Sequence, residues 1–273
     1  MGEGKRGCDA RACSRAPSSL PPRTPPRPRT PRPPQDDFDG PINNATNLAI
    51  KGVAAIAAFG YIVEKYTGNA SAADAAYATA AAYSQTMVQY SWVSNGTTGS
   101  HFTLGYLGSK GPDGDPSSWP MVYNALWLRV LGLDGLVPQA NLDSMRDFYV
   151  ANKMETYGLP LNSRKLYTKD DWMTFLAATY FTHDAAPAPS PFSNALFDGL
   201  FRFANETVSR EALSDWTNTD SNTAVGFTNR PVYGAMYAPM LIANGKSLGL
   251  GAAGNADDAS LARARAIFAA TWA

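Results

Sequence analysis

Between Leu48 and Tyr66 apolar residues occupy nearly every face of a helix, and SAADAAYATAAAYSQTMVQYSW follows after a Thr-Gly-Asn turn. No other feature limits the fold as tightly. A helix apolar all round predicts an inner, buried element. The alanine-rich stretch starting near Ser71 predicts a second helix, because alanine loses no side-chain entropy on entering one. Together they predict a helical hairpin. The same rhythm continues along the chain. WPMVYNALWLRVLGL sets Trp119, Val122, Leu126 and Val130 at helical spacing, and NLDSMRDFYVANKM, KDDWMTFLAATYF, NALFDGLFRFANETV, RPVYGAMYAPMLIANG and DDASLARARAIFAATWA read as further helices. The last of these reads as amphipathic or frayed. No stretch alternates apolar and polar residues for long enough to make a core strand.

These segments predict an all-α chain of about eight helices, paired as hairpins and joined by short turns and long polar loops. Four loops, at 35–46, 95–119, 153–169 and 209–230, are rich in Asp, Asn, Tyr, Trp and Arg. Loops of that length are uncommon in a helical domain unless they carry function. At one end of a rigid array of hairpins, as in an α/α barrel, they can converge on one site.

Charge and composition exclude several function classes. Residues 1–35 hold eight of the 23 Lys/Arg and two of the 23 Asp/Glu, so the remainder is mildly acidic, which argues against nucleic acid as a partner. Nine of the 20 prolines fall in the same stretch, which predicts an extended or disordered Pro/Arg-rich tail (1–35) ahead of a helical domain (36–273). Both cysteines, Cys8 and Cys13, lie in the tail, and neither His101 nor His183 sits in a metal spacing, so no metal or cofactor is expected. No GxSxG elbow supports a serine nucleophile. The first 30 residues lack an apolar signal core, and no run reads as long enough for a membrane span, so no membrane partner is expected. Sequons at Asn44, Asn69, Asn95 and Asn205 pull the other way, towards secretion.

Carboxylates are what remain for chemistry. Asp36, Asp37 and Asp39 precede the first helix, Asp170 and Asp171 open another, and Asp215 precedes Trp216. Two carboxyl groups across a cleft can divide acid and base work, although aspartate at a helix start also serves the backbone amides there. Trp119, Tyr123, Tyr167, Trp172 and Trp216 could wall a pocket. Arg164, on the Gly/Pro-shaped loop YGLPLNSRKLYTKDDW, offers a bidentate fork for a carboxylate. Such a loop suits an amino acid, and a sugar almost as well.

DDFDGPINNATNLAIKG, SSWPMVYNALW, YGLPLNSRKLYTKDDW, SDWTNT and GFTNRPVYGAMYAPML, in this order over residues 36–241, resemble the C-terminal helical region of the fungal secreted glutaminase A family. The resemblance implies helical hairpins of a six-hairpin, (α/α)6 toroid related in architecture to glycosidases. About four hairpins would leave such a ring incomplete, with apolar faces open. It implies hydrolysis of L-glutamine to L-glutamate and ammonia, outside the cell or at the wall. In that reading Asp37 or Asp171 is the catalytic base and Arg164 holds the substrate α-carboxylate. Asp215 helps bind the α-amine, and Tyr123, Asn124, Tyr167, Trp172 and Trp216 complete the substrate site. The partner is small-molecule glutamine. A carbohydrate-cleaving toroid and an inactive truncated paralogue are the alternatives. The chain departs from the family pattern at Asn162, where Asp is usual, and at Thr217-Asn218, where Tyr-Asp is usual.

Overall fold

A computed structural model describes residues 35–36, 39–94, 99–182, 188–209, 212–243 and 259–273, all within a unit spanning 33–273. Eight α-helices lie among the described residues: α1 (Thr46–Thr67), α2 (Ala70–Ser91), α3 (Leu126–Val130), α4 (Gln139–Asn152), α5 (Asp170–Thr179), α6 (Pro191–Glu206), α7 (Ala238–Ala243) and α8 (Ala259–Trp272). The molecule is mostly helical, as its sequence pattern requires.

The first hairpin forms for local reasons. Gly68 takes a left-handed conformation (φ +66°) and its N–H bonds the Glu64 carbonyl at 2.9 Å, closing α1. The Asn69 side chain accepts from the Ala72 N–H at 3.0 Å and opens α2. Small residues then let the two helices approach. A Cβ on Gly60 would stand 2.9 Å from the Tyr77 ring and 3.1 Å from the Ala73 carbonyl of α2.

Three expectations for these segments need correction. α1 is not an inner helix. It buries Ile50, Val53, Ala57 and Tyr61 but leaves Leu48, Phe59, Ile62 and Tyr66 exposed. It is also long and apolar enough to cross a membrane by length and composition, contrary to the sequence reading, with 44% of that span buried against the rest of the fold. The segment from Trp119 to Leu133 is not one helix either. The backbone of Met121 is drawn to the Leu161 carbonyl (2.7 Å) and that of Val122 to the Tyr149 hydroxyl (3.1 Å), so only a 3-10 turn at Tyr123–Ala125 and the five-residue α3 form.

Short strands also appear where loops were expected. β1 (Gln35–Asp36) pairs with β2 (Gly40–Pro41), and β3 (Trp92–Val93) with β4 (His101–Phe102). A three-stranded antiparallel sheet has the order β5 (Tyr167–Lys169), β6 (Ser214–Asn218), β7 (Ala224–Thr228). Strands of three to five residues are too short to show an alternation, which is why the pattern missed them. Lys169 pairs with Trp216, and Trp216 with Gly226, where a Cβ would stand 3.2 Å from the indole. This sheet links two of the polar loops and carries the site. The C-terminal α8 is not frayed: Leu261, Ala264 and Phe268 are buried, and Phe268 meets Tyr77 of α2 edge-on at 6.2 Å.

Candidate functional site

The N-terminus of α5 meets β5 and β6 in a buried ionic cluster. The Lys169 side chain is 2% exposed and its ammonium lies 3.3 Å from Asp171 Oδ1 and in contact with Asp215 Oδ2. Burial pushes the lysine pKa down, against the pull of Asp171. Trp172 and Phe227 add their ring faces, 5.9 Å and 5.5 Å from the ammonium. Asp171 keeps a tenth of its side chain exposed, whereas Asp215 keeps none. A lysine shared by two carboxylates offsets the cost of burying each charge, and removing any one member would strand another.

Asp170 lies in the same cluster and behaves differently. Thr217 donates to Oδ1 at 3.0 Å, and the Tyr233 hydroxyl lies 3.0 Å from Oδ2. The same hydroxyl, which donates to Asp170, also contacts the Ser214 carbonyl. Burial raises the Asp170 pKa to about 7, against the opposing hydrogen bonds from Thr217 and Tyr233. Aspartate at a helix start is commonly a cap, yet neither Asp170 nor Asp171 is the N-cap of α5. That position is Lys169, and it makes no side-chain cap.

A second cluster surrounds Arg164. Its guanidinium donates to the Pro41 carbonyl (3.0 Å), the Asp39 carbonyl (2.7 Å) and the Asp39 carboxylate, with Asp113 Oδ1 3.7 Å away. Asn162 and the Tyr167 hydroxyl (2.7 Å) also donate to the Asp39 carboxylate. This clasp ties the segment before α1 to the 157–167 loop. A cleft of about 280 Å³ opens beside it, lined by Trp119, Lys153, Glu155, Asn162, Arg164 and Lys165.

The structure thus divides the expected site. Arg164 donates to the Asp39 carboxylate and to two backbone carbonyls while it lines the cleft. Asp215 is wholly buried on Lys169, so that ammonium takes the place expected for a substrate amine. Asn124 is 5% exposed, donates to the Asn47 carbonyl at 3.1 Å and accepts from Trp127 Nε1 at 3.3 Å, which fixes α1 against the 3-10 turn. Tyr167 serves Asp39. Asp37 lies outside the described residues. Asp171, Trp172, Trp216 and Tyr123 remain together: Tyr123 stacks on Trp172 at 4.4 Å, and Trp216 meets Tyr167 edge-on at 5.3 Å. The two clusters are contiguous through Tyr167 and Trp216, and the cleft that Arg164 lines does not include Asp171.

Sequence reasoning missed Phe227 and Arg230. Trp216 packs against Phe227 at 5.1 Å, and the Arg230 guanidinium lies over that ring at 4.5 Å, with Nε 3.8 Å from Asp215 Oδ1. Both residues stand in the quoted stretch GFTNRPVYG, but nothing in their spacing shows that β7 folds back over Trp216.

The model of the glutaminase A six helical-hairpin domain matches residues 32–240. Glutaminase A of Aspergillus oryzae is 32% identical over 210 residues, which covers 76% of this chain and 28% of that protein. A protein of Arthroderma benhamiae named "Probable glutaminase" is 33% identical over 122 residues, covering 42% of this chain and 13% of that protein. The chain thus spans under a third of the length of the curated relatives it matches. No solved structure gives a significant match. The helical hairpins, the domain match and the identity agree: this chain belongs to the glutaminase A six-hairpin family.

Proposed function

We propose that the chain contributes the hydrolytic site of a glutaminase-type amidohydrolase, converting L-glutamine to L-glutamate and ammonia, with Asp171 as the base. The supporting observation is the Asp171–Lys169–Asp215 ion-pair chain between Trp172, Trp216 and Phe227. The partial exposure of Asp171 leaves it reachable by water. Asp171 takes a proton from that water as the water oxygen bonds to the side-chain amide carbon. The same proton passes to the amide nitrogen as the C–N bond breaks and ammonia leaves. The Lys169 charge favours the oxyanion that forms between these steps. Complete burial of Asp215 disfavours the carbohydrate reading, which needs two carboxyl groups open to a glycosidic bond. Exposed sequon side chains at Asn44 and Asn205 suit a place outside the cell or at the wall.

Ammonia release from L-glutamine by the full chain tests this reading. Asp171→Asn is expected to lower turnover by about 10²–10⁴-fold, the usual contribution of a positioned base. Asp198→Asn, on the exposed side of α6, leaves it unchanged. Equal turnover in wild type and Asp171→Asn, or cleavage of oligosaccharides in place of glutamine, overturns it.

A further inference from the structure

A substrate with a free carboxylate needs an exposed cation with N–H groups to spare, and Arg164 is 21% exposed and largely committed. Its N–H groups already hold two carbonyls and a carboxylate. Lys169 is buried between Asp171 and Asp215. Arg230 differs on each count. Its side chain is 39% exposed, and its contact with Asp215, at 3.8 Å, lies beyond hydrogen-bond reach. Asp215 draws its closer contact from Lys169, so Arg230 is the outer of two cations on one carboxylate. The guanidinium also rests on the Phe227 ring at 4.5 Å, a cation–π contact that uses the ring face rather than a hydrogen-bond acceptor. Phe227 in turn packs on Trp216 at 5.1 Å and stands 5.5 Å from the Lys169 ammonium. Arg230 therefore borders the same aromatic enclosure as Asp171.

We propose that Arg230, braced on Phe227, is the residue that binds the substrate's α-carboxylate and so selects amino-acid amides over neutral amides. A planar fork at the rim would place one end of the substrate while its amide end reaches towards Asp171. This rests on the glutaminase reading for the identity of the substrate. It does not rest on it for the carboxylate site, which is a property of Arg230 itself.

The two are separable by experiment. Calorimetric titration of the full chain with glutarate reads carboxylate binding without turnover, and steady-state kinetics with L-glutamine read KM and kcat. Arg230→Met is expected to weaken glutarate binding and raise the KM for glutamine by about tenfold or more, the loss of one charge-assisted contact, with little change in kcat. Arg230→Lys recovers only part of the loss, because an ammonium cannot replace the fork. Glutaramide, which has no carboxylate, is handled alike by wild type and Arg230→Met. Arg202→Met, exposed on α6, changes none of these values. Unchanged glutarate affinity and KM in Arg230→Met overturn the assignment even if glutamine is hydrolysed. Glutarate binding lost in Arg230→Met, with no glutamine turnover in wild type, retains the carboxylate site and overturns the glutaminase reading. Should Arg230→Met fail to fold, Phe227→Leu, which removes the ring under the guanidinium, must still weaken glutarate binding for the proposal to hold.

Discussion

Asp170 holds its proton near neutral pH because burial disfavours its charge more than Thr217 and Tyr233 favour it. The sign of the consequence follows from linkage. From the ordinary aspartate value of 3.8 up to about 7, the unfolded carboxyl has lost a proton that the folded one keeps. The unfolded state then binds fewer protons, so this group's contribution to stability falls as pH rises through that window. The fall amounts to on the order of 4 kcal/mol and is complete above the folded pKa. Asp170→Asn is isosteric and uncharged, can accept from Thr217 and donate to Tyr233, and is expected to flatten this dependence. Urea midpoints measured from pH 4 to pH 8 check it. Wild type must lose stability relative to Asp170→Asn across that range, and parallel curves refute the assignment. The sequence placed Asp170 and Asp171 side by side at a helix start. Only their partners, 47 and 63 residues further along for Asp170, separate an acid that keeps its proton from one paired with a lysine.

At the scale of elements, the approach of α5 and α6 to the 157–167 loop depends on two glycines. A Cβ on Gly199 of α6 would stand 2.7 Å from the Gly158 nitrogen and 2.8 Å from its Cα, and both are backbone atoms that cannot rotate away. Gly158 itself has φ +114°, and a Cβ there would meet Met173 Sδ at 2.4 Å. Gly199→Ala is expected to cost about 1–3 kcal/mol by forcing α6 off the loop. Gly52→Ala, on α1 with nothing within 4 Å, is expected to stabilise by about 0.5–1 kcal/mol through helix propensity. Thermal melts of the two variants should therefore move in opposite directions. The helices at both sites were legible, because each carries its own period and turn residues. The three-stranded sheet was not. Its strands are too short to show an alternation, and their pairing, Lys169 with Trp216 and Trp216 with Gly226, is a tertiary fact.

For the whole molecule, α8 closes back onto the first hairpin although the family match ends at residue 240. Phe268 is fully buried against Tyr77, and Arg263 pairs with Glu64 of α1 and, at 2.8 Å, with Asp74 of α2. Phe268→Ala is expected to cost about 3–5 kcal/mol. If α8 belongs to the same cooperative unit, tryptophan fluorescence and helical circular dichroism must fall together at the lowered midpoint. A midpoint equal to that of wild type refutes the packing. The long exposed apolar side chains of α1, Phe59, Ile62 and Tyr66, are what a helix hydrophobic all round leaves when only one side finds a neighbour. The sequence by itself determined the helical class, the first hairpin, the polar loops and the set of carboxylates and rings, since periodicity, capping and composition are local. Tertiary structure alone decided which arginine stands more exposed, Arg230 at 39% against Arg164 at 21%. Arg164 is taken by carbonyls 123 and 125 residues before it, while Arg230 is left at the rim because Lys169 already holds Asp215. A side chain's partners are set by long-range contacts, and no local pattern encodes them.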